Sequence, residues 1–110
     1  MTDDLTLARE TRLRRQGLAS PLVGEIVEAL VELGGHADRE QVADVVAWRR
    51  GGPEASPALR RELRLALSLH CAHALGTNLD PAFVQRGQTW SLAPDALAFF
   101  SEYMRRRADG

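Results

Sequence analysis

Lysine is missing from this chain. All fourteen basic residues are arginine, set against fifteen acidic residues, for a formal charge of -1 over 110 residues. The missing lysine is a matter of composition to which no mechanism attaches. The charge balance does matter: no overall field steers the molecule toward a polyanion, so any nucleic-acid role must rest on a local patch. Cysteine is nearly missing too. Cys71 stands alone and cannot close an internal disulfide, which fits a reducing compartment or a scaffold that needs no bridge. No apolar run reaches the roughly eighteen residues of a membrane span. The N-terminus opens on Asp3 and Asp4, so neither a secretory signal nor a membrane segment is expected, and the expected localisation is cytoplasmic.

Catalytic patterns are also lacking. GGPEASP has neither the spacing nor the lysine of a phosphate loop, and no Cys-x-x-Cys or His-Glu-x-x-His pair occurs. His70, Cys71 and His73 share a helical stretch, but a third metal ligand would have to arrive from elsewhere, and a mid-helix cysteine among Leu and Ala reads as a small buried hydrophobe. The expectation is no enzyme, no metal and no cofactor.

What is present is an ordinary globular composition, 45% hydrophobic and 26% charged, in a chain of one-domain length. That length is too short for a β/α barrel or a complete dinucleotide-binding fold. Residues 1–20 read as an N-terminal arm or short helix with a basic run at Arg9, Arg12, Arg14 and Arg15. Ser20-Pro21 then opens a helix over 21–33, which Gly34-Gly35 stops. His36-Ala37 reads as a short extended link. Asp38, with Gln41 three residues on, signals a capping box before a helix that runs to about Arg50 and buries Val42, Val45 and Val46, with Trp48 at its end half-exposed. Ser56-Pro57 opens a third helix expected over 57–75, with Leu59, Leu63 and Leu67 on one face and Leu65 widening it. The period then changes. Strands at about 82–85 and 89–92, around Arg86-Gly87-Gln88, predict a hairpin, with Trp90 covering the core and its N–H reaching a backbone carbonyl. A last helix is expected over 95–107, within a C-terminal segment 94–110.

Three helices followed by a hairpin is the order of a winged helix-turn-helix. The helix ending in LGG, the REQVADVV helix, SPALRREL at the third helix and FVQRGQTWSL at the hairpin carry the resemblance over residues 21–93. That last segment resembles the ending of winged-helix modules in restriction-endonuclease accessory regions and in chromatin or transcription proteins. The fold class expected is therefore mainly α with a small β-hairpin, a winged helix-turn-helix with an additional C-terminal helix.

The resemblance implies a duplex DNA-binding protein, a regulator or accessory factor without turnover. The third helix would offer Arg60, Arg61 and Arg64 to the major groove, and Arg86 would sit at the wing. Gln85 and Gln88 would add polar contacts, Arg39 would hold the backbone, and Arg49 and Arg50 would extend the patch. Residues 35–93 carry seven Arg against six acidic residues, so only clustering in the fold makes this effective. The alternative is a protein–protein interaction module on the same fold. Leu97, Phe99, Phe100, Tyr103 and Met104 are many large apolar groups for one terminal helix, and they predict a homodimer built through it.

Overall fold

Serine followed by proline opens two of the helices, as local chemistry dictates. The computed structural model describes residues 11, 13–14, 20–68 and 82–109. Ser20 caps helix α1 (Pro21–Glu32): its hydroxyl accepts from the Val23 N–H at 3.2 Å, and Pro21 fills the first turn, where no N–H is needed. Val23, Ile26, Val27, Ala29 and Leu30 form its buried stripe. Gly34 and Gly35 then adopt φ of 91° and 101°, and the Gly35 N–H donates back to the Leu30 carbonyl at 2.7 Å.

His36–Asp38 is a strand, β1, where the sequence alone suggests an extended link. Asp38 next caps α2 (Arg39–Arg49). Its carboxylate accepts from the Glu40 N–H at 2.8 Å, and the Gln41 side chain reaches back to the Asp38 N–H at 3.1 Å, completing the expected capping box. Val42, Ala43, Val46 and Ala47 are buried; Val45 is half-buried and Trp48 is 70% exposed, more than expected. Ser56 caps α3 (Pro57–Ser68) by accepting from the Leu59 N–H at 3.1 Å. Leu59, Leu63 and Leu67 face the core. Leu65 corrects the sequence reading. It is 61% exposed, because two residues along a helix turn a side chain about 200° away from the Leu63 face. The remainder of the helix expected to 75, with His70, Cys71 and His73, lies outside the described residues.

The hairpin joins β2 (Phe83–Arg86) to β3 (Thr89–Leu92), with Arg86 opposite Thr89 as the last pair. Its tip is Gly87-Gln88. Gly87 has φ of 59°, and among the described residues only glycines have a positive φ, which matches a two-residue turn with glycine first. Strand β3 also pairs antiparallel with β1, Ala37 opposite Trp90, giving a three-stranded sheet of order β1-β3-β2. The first strand thus returns the chain from α1 to the edge that β3 offers.

Helix α4 (Pro94–Asp109) packs on α1. Trp90, Phe83 and Phe100 are the largest fully buried side chains, and Leu13 joins the same core at 1% exposure, from a short stretch where Thr11, Leu13 and Arg14 are helical. The architecture is mainly α with a small antiparallel element, a helix-turn-helix order with an extra C-terminal helix.

Candidate functional site

The arginines fall into two groups, and α1 decides which. Its acidic face, Glu25, Glu28 and Glu32, lies beside the end of α2. Arg50 Nε donates to Glu25 at 2.8 Å. Arg49 reaches Glu28 and Glu32, each at 3.3 Å, and Arg107 of α4 approaches Glu28 at 3.6 Å. Hydrogen bonding to Glu25 holds the Arg50 guanidinium pKa above its ordinary value. Arg49 and Arg50, expected to extend the basic patch, are thus paired with the α1 carboxylates. Further along α4, Arg105 and Arg106 both hold Glu102.

A second group gathers at the opposite end of α2. Arg39 and Glu40 of its first turn, Arg60, Leu63 and Arg64 of α3, Ala43, and Trp90 of β3 line one narrow crevice with no room for a water molecule. The hairpin tip is fastened here: the Arg39 backbone N–H donates to the Gln88 carbonyl at 2.8 Å. Asp38, Thr89 and Arg86 are successive cross-strand neighbours, so Arg86 lies two strand spacings, about 10 Å, from the cap of α2. Arg61 and Arg86 are exposed, while Arg39, Arg60 and Arg64 are half-buried. Among the described residues Arg39, Arg61, Arg64 and Arg86 have no carboxylate partner. Arg60 has one, Glu40, at 3.0 Å. Gln85 is half-buried on β2, and Gln88 is exposed at the tip.

The crevice holds three buried donors without acceptors: Arg39 Nε, Arg60 Nε and Trp90 Nε1. Arg60 Nε lies near Glu40 without the alignment of a hydrogen bond. The Trp90 indole N–H corrects the expectation of a backbone carbonyl partner. β3 is the central strand and pairs on both sides, while the ring lines the crevice between α2 and α3. This arrangement had no signal in the sequence, because it depends on three elements meeting.

Among the residues read as a dimer face, Phe100 is fully buried in the chain's own core, and Leu97, Phe99, Tyr103 and Met104 are half-buried. Phe99 meets Phe100 edge-on at 5.2 Å and stacks with Tyr103 at 6.4 Å between centroids. Arg14 and Arg107 lie 5.9 and 5.8 Å from the Phe99 and Tyr103 ring centroids. Among the described residues no charged side chain is fully buried, and no three His, Cys, Asp or Glu side chains gather as metal ligands. No helix there is long and apolar enough to cross a membrane.

The fold and site define a helix-turn-helix-like domain with a small three-stranded element and a cationic crevice. No protein-family model matches the chain, and no match was found among curated proteins or solved structures.

Proposed function

We propose that this domain is a winged-helix module that binds duplex DNA through α3 and the hairpin, as a regulator or accessory factor that performs no chemistry on its ligand. The observation that carries the reading is the sorting of arginines. Those of α2's far end and of α4 are held by Glu25, Glu28, Glu32 and Glu102, whereas Arg39, Arg61, Arg64 and Arg86 keep their charge unpaired around the leading end of α3. A chain of net charge -1 thereby concentrates positive potential at one place. Arginine there can bond phosphate or guanine edges, and α3 opens toward solvent with Arg61.

The test is a salt titration of binding to random duplex DNA. Arg60 and Arg61 changed together to Ala should weaken binding and reduce the salt slope by about two, one for each guanidinium taken off a phosphate. Binding as tight as the parent's would refute the assignment of α3.

A second reading is supported by one observation. Trp48 and Leu65 are large apolar side chains left 70% and 61% exposed, as a protein-docking surface would require. Trp48→Ala distinguishes the two, since it should leave DNA binding intact and abolish only a protein complex.

A further inference from the structure

We infer that Glu40 is a positioning residue: it holds one edge of the Arg60 guanidinium and leaves the other facing outward, which makes Arg60 the base-reading arginine of α3. The inference deepens the DNA-binding reading and rests on it.

Arginine does two kinds of work on a duplex. It attracts phosphate wherever its charge is free, and it reads guanine where its planar fork is held in one orientation. The leading end of α3 contains one arginine of each description. Arg61 is exposed, and among the described residues no carboxylate restrains it. Arg60, one residue earlier, is half-buried, and its Nε lies 3.0 Å from a carboxylate oxygen of Glu40 on the first turn of α2. That Nε is buried beside a crevice too narrow for a water molecule, so solvent does not stand in for Glu40 there. The side chain as a whole keeps 36% exposure, and among the described residues no hydrogen bond takes its terminal nitrogens. The restrained edge is therefore the inner one.

Both members of the pair stand on capped first turns. The Glu40 N–H donates to the Asp38 carboxylate at 2.8 Å, inside the capping box. The Arg60 N–H donates to the Ser56 carbonyl at 3.0 Å, one residue after the Leu59 N–H that the Ser56 hydroxyl accepts. An arginine ordered before it binds loses less freedom on binding, a gain of about two- to tenfold in affinity for one side chain. Glu40 has an opposite effect on phosphate. It is a half-exposed negative charge among Arg39, Arg60 and Arg64, so it weakens attraction to any duplex whatever the sequence. One residue thus favours the fitting base and disfavours the backbone, which is the combination that selects among sequences.

The experiment is affinity selection from a randomised duplex pool, with the bound fraction sequenced, beside salt titrations on random duplex. The parent should enrich guanine at one position. Arg60→Lys keeps the charge and loses the fork. It should lose that guanine and keep the parent's salt slope on random duplex, where the charge meets phosphate alone. Glu40→Ala should weaken the preference for that guanine about two- to tenfold. It should bind random duplex as tightly as the parent or more tightly, because a charge of the phosphate's own sign has gone. Glu40→Gln keeps an oxygen beside Arg60 Nε and should restore most of the preference. A merely structural role for Glu40 would instead lower melting temperature, random binding and preference together.

A guanine preference that Glu40→Ala leaves intact overturns the inference and leaves the DNA reading standing. Duplex binding by the parent with no enriched guanine does the same. A parent that binds no duplex even at low salt overturns the DNA reading, and the role of Glu40 with it.

Discussion

Arg61 and Arg49 are the same residue type on neighbouring helices, yet they differ in their partners. Arg61 is exposed on α3 with no carboxylate partner among the described residues. Arg49 lies 3.3 Å from Glu28 and from Glu32. Arg61→Ala should lower the salt slope of DNA binding by about one and leave stability within about 0.5 kcal/mol. Arg49→Ala should leave binding unchanged and cost about 0.5–1 kcal/mol in urea unfolding, since it breaks a half-exposed pair with two carboxylates. If Arg49→Ala weakened binding as much as Arg61→Ala, the sorting of charges would not explain function. The distinction was invisible in the sequence. Which glutamate meets which arginine depends on how α1 lies against α2, and no local rule fixes that. The caps were legible because their chemistry is local: Ser20, Asp38 with Gln41, and Ser56 each bond within three residues. Leu65 misleads because its apolar identity suggests burial while its angle on the helix turns it to solvent.

At the scale of elements, α4 meets the turn after α1 closely at Gly35. A Cβ built on Gly35 would come within 2.6 Å of the Leu97 side chain, and Gly35 also holds φ of 101°. Gly35→Ala combines a clash with a strained backbone and should cost about 1–3 kcal/mol, read as a lower denaturant midpoint. Phe100, fully buried on the inner face of the same helix, should cost about 3–5 kcal/mol when cut to Ala, provided the chain folds well enough to be measured. The C-terminal helix itself was plain in the sequence. Its docking was not, because the pairing of apolar faces between elements far apart in the chain leaves no periodic trace. The first strand was hidden for a similar reason. Three residues, HAD, become a strand only because β3 pairs with them.

Across the whole molecule, acid should loosen the charged seams before it reaches the core, which contains no charged side chain among the described residues. Hydrogen bonding to Arg105, reinforced by Arg106, lowers the Glu102 carboxyl pKa from its ordinary value. Its contribution is complete above the unfolded glutamate value and disappears as pH falls through the lowered folded value. Melting temperatures of the parent and of Glu102→Gln should therefore converge below about pH 4 and separate above it, with high salt shrinking the gap. A gap that widens on acidification would contradict the sign of the shift. The same charges set the molecule's electrostatic shape. One end of α2 is neutralised and the other is left cationic, in a chain whose total charge gives no hint of either.

The bond from the Arg39 amide to the Gln88 carbonyl makes the hairpin tip and the head of α2 one rigid jaw. On the proposed DNA-binding reading, a jaw of fixed span would measure its ligand: duplexes whose grooves match that span would fit without bending, and the others would have to deform to be gripped. Discrimination among sequences would then follow the stiffness of the double helix as much as the identity of its bases.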